Sequence, residues 1–151
     1  PKFWTDLEKA FKFAARYPGR VKEIQHGIKF WSESKTVHMQ LPSGRVMRYQ
    51  DVRISAASGQ IHWKYGTLWG GGICENIVQA ASRDLIAENI LALTDRGIKV
   101  ALTVHDSILS VVCEGDVDET REVYQEIMSK PAEWCPGLPL AVEIDAGKRY
   151  G

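Results

Sequence analysis

The stretch between Gly70-Gly71-Gly72 and Gly97 constrains the fold more than any other, because it keeps helical spacing throughout and contains no proline. Ile73, Ile77, Ala81 and Leu85, with Val78, Ile86, Ile90 and Leu93, form a broad apolar face. A long helix is predicted over Ile73 to Arg96, with Gly97 as its C-terminal cap. The glycine run ahead of it marks a break. It carries neither a Walker lysine and hydroxyl nor a GxGxxG pattern, so it reads as a tight backbone junction and not as a phosphate loop.

What surrounds this helix is mixed. Thr5-x-x-Glu8 has the form of a capping box, and Leu7, Ala10, Phe11, Ala14 and Ala15 follow at helical spacing until Pro18-Gly19. Residues 20–65 are rich in Val, Ile, Tyr and Trp and are punctuated by glycine. Short antiparallel strands are predicted at Gly27–Trp31, Thr36–Leu41, Arg45–Tyr49 and Gln60–Lys64, with Leu41-Pro42-Ser43-Gly44-Arg45 as a hairpin turn. Beyond the long helix, Lys99–Val104 and Ile108–Cys113 read as a hairpin, with Val100, Leu102, Val104, Leu109 and Val111 alternating into a core. Asp116-x-x-Glu119 is a second capping box, and its helix should run to Ser129 with Val123, Tyr124, Ile127 and Met128 on one face. Pro131, Pro136 and Pro139 make the next stretch irregular, and Leu140–Ile144 is a candidate final strand. The pattern is α+β, with helices against antiparallel sheet.

Composition excludes several classes. With 44% hydrophobic and 25% charged residues, the chain should be globular rather than disordered. Nineteen basic residues balance nineteen acidic ones, so net charge neither favours nor excludes a nucleic-acid partner. The three cysteines, Cys74, Cys113 and Cys135, are widely spaced and odd in number, which suits reduced thiols and not a disulfide framework or zinc site. Apolar runs are too short to cross a bilayer, and no signal peptide is visible. The expected location is cytoplasmic, with no membrane partner.

Three places are suited to chemistry. Asp106, in His105-Asp106-Ser107 between two strands, is a rigid, exposed carboxylate of the kind that suits a hard cation such as Mg²⁺. Its local pattern alone favours a plain turn residue. Adjacent residues cannot form a hydrolase triad. Asn76, Gln79 and Arg83 share a stripe of the long helix, and amide with guanidinium groups suit nucleic-acid bases and phosphates, although a solvated helix face has the same composition. Trp63, Tyr65 and Trp69 could stack on bases, but core or strand-face packing is the expectation.

Taken together, these segments resemble the C-terminal part of the family A DNA polymerases, the bacterial polymerase I type, and most closely their phage and prophage branch. Leu41-Pro42-Ser43-Gly44-Arg45 is similar to an LPSGR turn. Gly70-Gly71, then Glu75-Asn76-Ile77-Val78-Gln79-Ala80, then Arg83-Asp84-Leu85 resemble the GG, ENIVQA and RDL blocks of one helix. Val104-His105-Asp106 resembles motif C, and Leu138-Pro139-Leu140 with Arg149-Tyr150 resembles the branch's terminus. The likeness covers nearly the whole chain, in the family's order.

The resemblance implies a DNA-directed DNA polymerase in which residues 1–19 end the fingers helices, residues 20–66 form a small β-rich segment and residues 67–151 form the C-terminal half of the palm. It implies that Asp106 is one of two carboxylates holding two Mg²⁺ ions. His105 would lie near the primer terminus and Gln79 near the minor groove of the primer–template, with Asn76 and Arg83 beside it. The other carboxylate, from motif A, and the fingers helix that binds the incoming nucleotide would lie upstream of residue 1. Tyr65-Gly66 is not that helix's motif, because no lysine precedes it at the required distance. Ser107 departs from the family, whose DNA polymerases usually carry glutamate there. Single-subunit RNA polymerases can carry His-Asp-Ser. The expected partners are primer–template DNA, nucleotides and the N-terminal part of the enzyme, and this chain alone is expected to be inactive and to self-associate. The alternative is a non-catalytic palm remnant that binds nucleic acid or a partner subunit.

Overall fold

The computed structural model describes residues 2–149. Within them the chain is α+β, with three α-helices and three separate antiparallel sheets. It divides into two compact units, Pro1–Ser82 and Arg83–Gly151. No described helix is long and apolar enough to cross a membrane, and all three cysteines are free thiols.

The first unit begins with helix α1 (Lys2–Arg16), whose buried Leu7, Ala10, Phe11 and Ala14 lie along one face. Strands β1 (Lys22–Glu23), β2 (Lys29–Glu33), β3 (Thr36–Gln40) and β4 (Val46–Tyr49) follow as a four-stranded meander. Alternation is clean: Phe30, Val37, Met39 and Tyr49 point into the core, while Trp31, His38 and Arg48 sit directly opposite one another on the other face. Phe11 meets Phe30 and Tyr49 edge-on, with ring centroids 6.1 and 5.2 Å away. Burying each such ring stabilises the fold by roughly 1.5–3 kcal/mol. Ser32, buried on the core side, donates from its hydroxyl to the Ala14 carbonyl, which ties helix to sheet. A second small sheet comprises β5 (Arg53–Ile54), β6 (Ile61–Trp63) and β7 (Gly66–Leu68).

Helix α2 (Gly70–Asp95) follows. The unit boundary falls within it, so its two parts are taken separately. In the first unit Ile73, Ile77 and Ala80 are buried, while Val78, expected on the apolar face, is 58% exposed. In the second unit the core is small, built on Leu93, Ile98 and Tyr124 with Val100, Ile108, Val123, Ile127, Met128 and Ile144 against it. Its elements are strands β8 (Val100–Val104) and β9 (Ser107–Ser110) and helix α3 (Val117–Met128). Gly97, at φ +81°, ends α2 as expected.

Several expectations are corrected. The glycine run is not a break: Gly70, Gly71 and Gly72 are the first turn of α2. Gly70 is nevertheless a tight junction, because a Cβ there would lie 2.1 Å from the Trp4 carbonyl oxygen. Thr5-x-x-Glu8 lies inside α1, which already starts at Lys2, and does not mark its N-terminus. Glu8 instead accepts the backbone N–H of Gly70 at 3.0 Å and so caps α2, an orphan donor satisfied from far away in sequence. Asp116 precedes α3 but makes no side-chain capping bond. Leu140–Ile144 forms no strand. Its side chains alternate in burial, but no neighbouring strand pairs with it. Tyr150, in the terminal motif, lies outside the described residues.

Candidate functional site

The β8–β9 hairpin turns through a loop of two residues, His105 and Asp106, so that Val104 pairs with Ser107. This is one residue tighter than the sequence suggests, and Ser107 lies in the strand. His105 takes φ +54°, the left-handed region, at the first loop position where type II′ turns place glycine. That conformation turns the chain sharply and leaves both His105 and Asp106 exposed at the tip.

The hairpin has two different faces. The register slips between Val100 and Leu102, which leaves Ala101 without a partner and moves Val100 onto the face of Thr103, Ile108 and Ser110. That face packs on α3, where the Ser110 and Tyr124 hydroxyls are 2.6 Å apart. The expected inward run of Val100, Leu102, Val104, Leu109 and Val111 is therefore wrong for Leu102, 43% exposed, and Val111, 76% exposed. The bulge separates Leu102 from Val100, since one extra residue inverts the alternation, while Val111 lies beyond the end of β9 at Ser110.

Asn76, Gln79 and Arg83 all lie on α2. Asn76 is half-buried and donates from Nδ2 to the Tyr49 hydroxyl at 3.0 Å, which fastens α2 to β4. Burial pushes the Tyr49 phenol above its ordinary pKa, and the bond from Asn76 acts in the opposite direction. Gln79 is exposed and donates to Glu75 at 3.2 Å; Arg83 is exposed. The Leu41–Arg45 turn is a hairpin turn as read, closed by Leu41 N–H to the Arg45 carbonyl at 2.8 Å. Sequence reasoning missed a further role there. The Arg45 guanidinium donates to the Ala80 carbonyl of α2 at 2.8 Å, and only the turn's proximity to the helix reveals it.

Aromatic packing also differs from expectation. Trp63 is half-buried against Tyr49 at 5.2 Å, but Tyr65 is 72% and Trp69 58% exposed. Trp69 meets Trp4 edge-on at 5.5 Å.

Divalent cations of the Mg²⁺ type take several oxygen ligands in near-octahedral geometry. Among the described residues no three His, Cys, Asp or Glu side chains are grouped to hold a metal ion. Asp106 stands at the hairpin tip beside Ser107, whose hydroxyl does not replace a carboxylate. The described residues thus do not by themselves make a complete cation site.

No family model matches the chain, and no solved structure matches it. Among curated proteins it is similar to the DNA polymerase of Bacillus phage SP02, at 36% identity over 155 aligned residues. That alignment takes in 94% of this chain but 24% of the phage protein, so the chain spans about a quarter of the length of the curated relative it matches.

Proposed function

We propose that this chain supplies part of a DNA-directed DNA polymerase of the family A type, from a phage or prophage. The observation that carries the reading is the likeness to the phage polymerase along 94% of the chain. Hairpin geometry supports it: a two-residue loop places Asp106 exposed between paired strands. In this reading residues 1–19 belong to the fingers, 20–66 to a small β segment and 67–151 to the palm. Asp106 contributes one carboxylate toward the two Mg²⁺ ions of the complete enzyme, and the remaining ligands come from polypeptide outside the described residues. His105, Gln79 and Arg83 contact primer–template DNA. Asn76 shares their stripe, with Nδ2 committed to Tyr49. The partners are DNA, nucleotides and the rest of the polymerase, in the cytoplasm of the bacterial host.

A second reading, a palm remnant that binds DNA or a partner subunit without catalysis, is favoured by Ser107 in the place of a carboxylate. Primer extension separates the two. The 151-residue chain alone is expected to extend no primer with Mg²⁺ and all four nucleotides, and robust extension would overturn that. In a complete polymerase carrying this segment, Asp106→Ala is expected to lower extension by about 100-fold or more while DNA binding persists. Near-normal extension by that variant would remove Asp106 from catalysis and leave the remnant reading.

A further inference from the structure

The first unit holds a cavity of about 380 Å³ lined by Lys35, Asp51, Arg53, Trp63 and Lys64. Lys35 comes from the β2–β3 turn, Arg53 from β5, and Trp63 and Lys64 from the β6–β7 hairpin. Backbone bonds fix its walls. Val52 N–H donates to the Lys35 carbonyl at 2.9 Å and Lys64 N–H to the Gln50 carbonyl at 3.0 Å, so residues 50–53 are stitched to both sides. Between those bonds Asp51 is held at φ +55°, a conformation that costs a non-glycine residue and persists only where its surroundings impose it.

The charge here is unlike that of the whole chain. Formal net charge is zero overall, yet this cavity gathers Lys35, Arg53 and Lys64 against Asp51 alone. Lys35 and Arg53 form no ion pair among the described residues. Beside the cavity, Tyr65 is 72% exposed, meets Trp63 edge-on at 5.0 Å and carries the Lys64 ammonium 5.3 Å from its ring centre. Folding gains little from a tyrosine left in water. Cations next to an exposed ring are what a polynucleotide needs: phosphates for the charges and bases for the ring. Asp51 disfavours a bare polyanion but can accept a hydrogen bond from a base amino group.

We infer that this cleft binds single-stranded nucleic acid, with Lys35, Arg53 and Lys64 on the phosphodiester backbone and Tyr65 stacking on a base. The inference rests on the polymerase reading for its choice of polyanion. None of its residues belongs to the helix stripe or to the Asp106 hairpin.

The test is fluorescence anisotropy of the 151-residue chain with a labelled oligothymidylate of about twelve nucleotides. Three phosphate contacts predict that log affinity falls with log salt at a slope of about −2. Tyr65→Ala should weaken binding by ~10-fold or more, while Tyr65→Phe, which keeps the ring, should bind like the parent. The triple variant K35E/R53E/K64E should abolish binding. If it fails to fold, the exposed single changes K35Q and R53Q should each flatten the salt slope by about 0.7. Affinity that is unchanged in Tyr65→Ala and in the single changes would overturn the inference, as would no binding at low salt. Displacement of the oligomer by tripolyphosphate at equal concentration would also overturn it, by revealing a plain anion site. Extension lost in Asp106→Ala with oligomer affinity unmoved by Tyr65→Ala would retire the cleft and keep the polymerase reading. Oligomer affinity lost in Tyr65→Ala with extension intact in Asp106→Ala would do the reverse.

Discussion

Glu8 shows how much one carboxylate can organise. It accepts Lys12 Nζ at 2.6 Å and the Gly70 backbone N–H at 3.0 Å. The hydrogen bond from Lys12, opposed by partial burial and aided by Gly70, holds its carboxyl below the ordinary glutamate range. A depressed folded pKa means that the stabilisation is full above the unfolded value and is lost as pH falls through the folded one. Glu8→Gln should therefore cost about 0.3–1 kcal/mol near pH 7, and the gap to the parent should close toward pH 3 in urea denaturation. A gap that stays constant with pH would show that charge is irrelevant there. His105 presents the opposite case, since at φ +54° it costs the fold where glycine would not. His105→Gly is expected to leave stability unchanged or raise it by up to about 1 kcal/mol, while lowering primer extension in a complete polymerase. A loss of stability beyond that would assign the histidine to the fold and not to DNA.

Among elements, α2 is fastened to the first unit by three polar contacts. Its N-terminus is capped by Glu8, Asn76 fastens it to Tyr49, and Arg45 reaches its Ala80 carbonyl. It can start where it does only because Gly70 has no side chain against the Trp4 backbone. Backbone cannot swing aside as a flexible side chain can, so Gly70→Ala should cost about 1–3 kcal/mol or more in thermal or urea unfolding. Parent-like stability would mean that α1 and the start of α2 separate easily. Helices and hairpins were legible from periodicity, and the Leu41–Arg45 turn from its Pro-Ser-Gly chemistry. The caps were not, because Thr5-x-x-Glu8 looks the same at the start of a helix and inside one. The bulge at Ala101 was invisible for a similar reason: alternation in sequence holds only while the register holds.

For the whole molecule the notable property is apolar surface left in water. In the second unit Leu91 is 65%, Leu102 43% and Val111 76% exposed around a small core. The 151-residue chain is expected to self-associate in light scattering, and Leu91→Lys with Val111→Lys should shift it toward monomer. A clean monomer at high concentration would overturn this. In the polymerase reading, the rest of the enzyme covers that surface.

Periodicity and turn chemistry are local properties, and they already specified the α+β class, the long helix with Gly97 behind it and the place of Asp106 between two strands. The likeness to the DNA polymerase of Bacillus phage SP02 along 94% of the chain is likewise a property of the sequence. Tertiary structure decided that Glu8 caps a distant helix, that Asn76 bonds Tyr49, that Leu140–Ile144 stays unpaired and that Leu102 and Val111 face water. Each depends on which groups from remote parts of the chain arrive within hydrogen-bonding or packing distance. Asp106 illustrates both sides: its position and exposure were readable, and the two-residue loop, with Ser107 inside β9, followed only once β8 and β9 had paired.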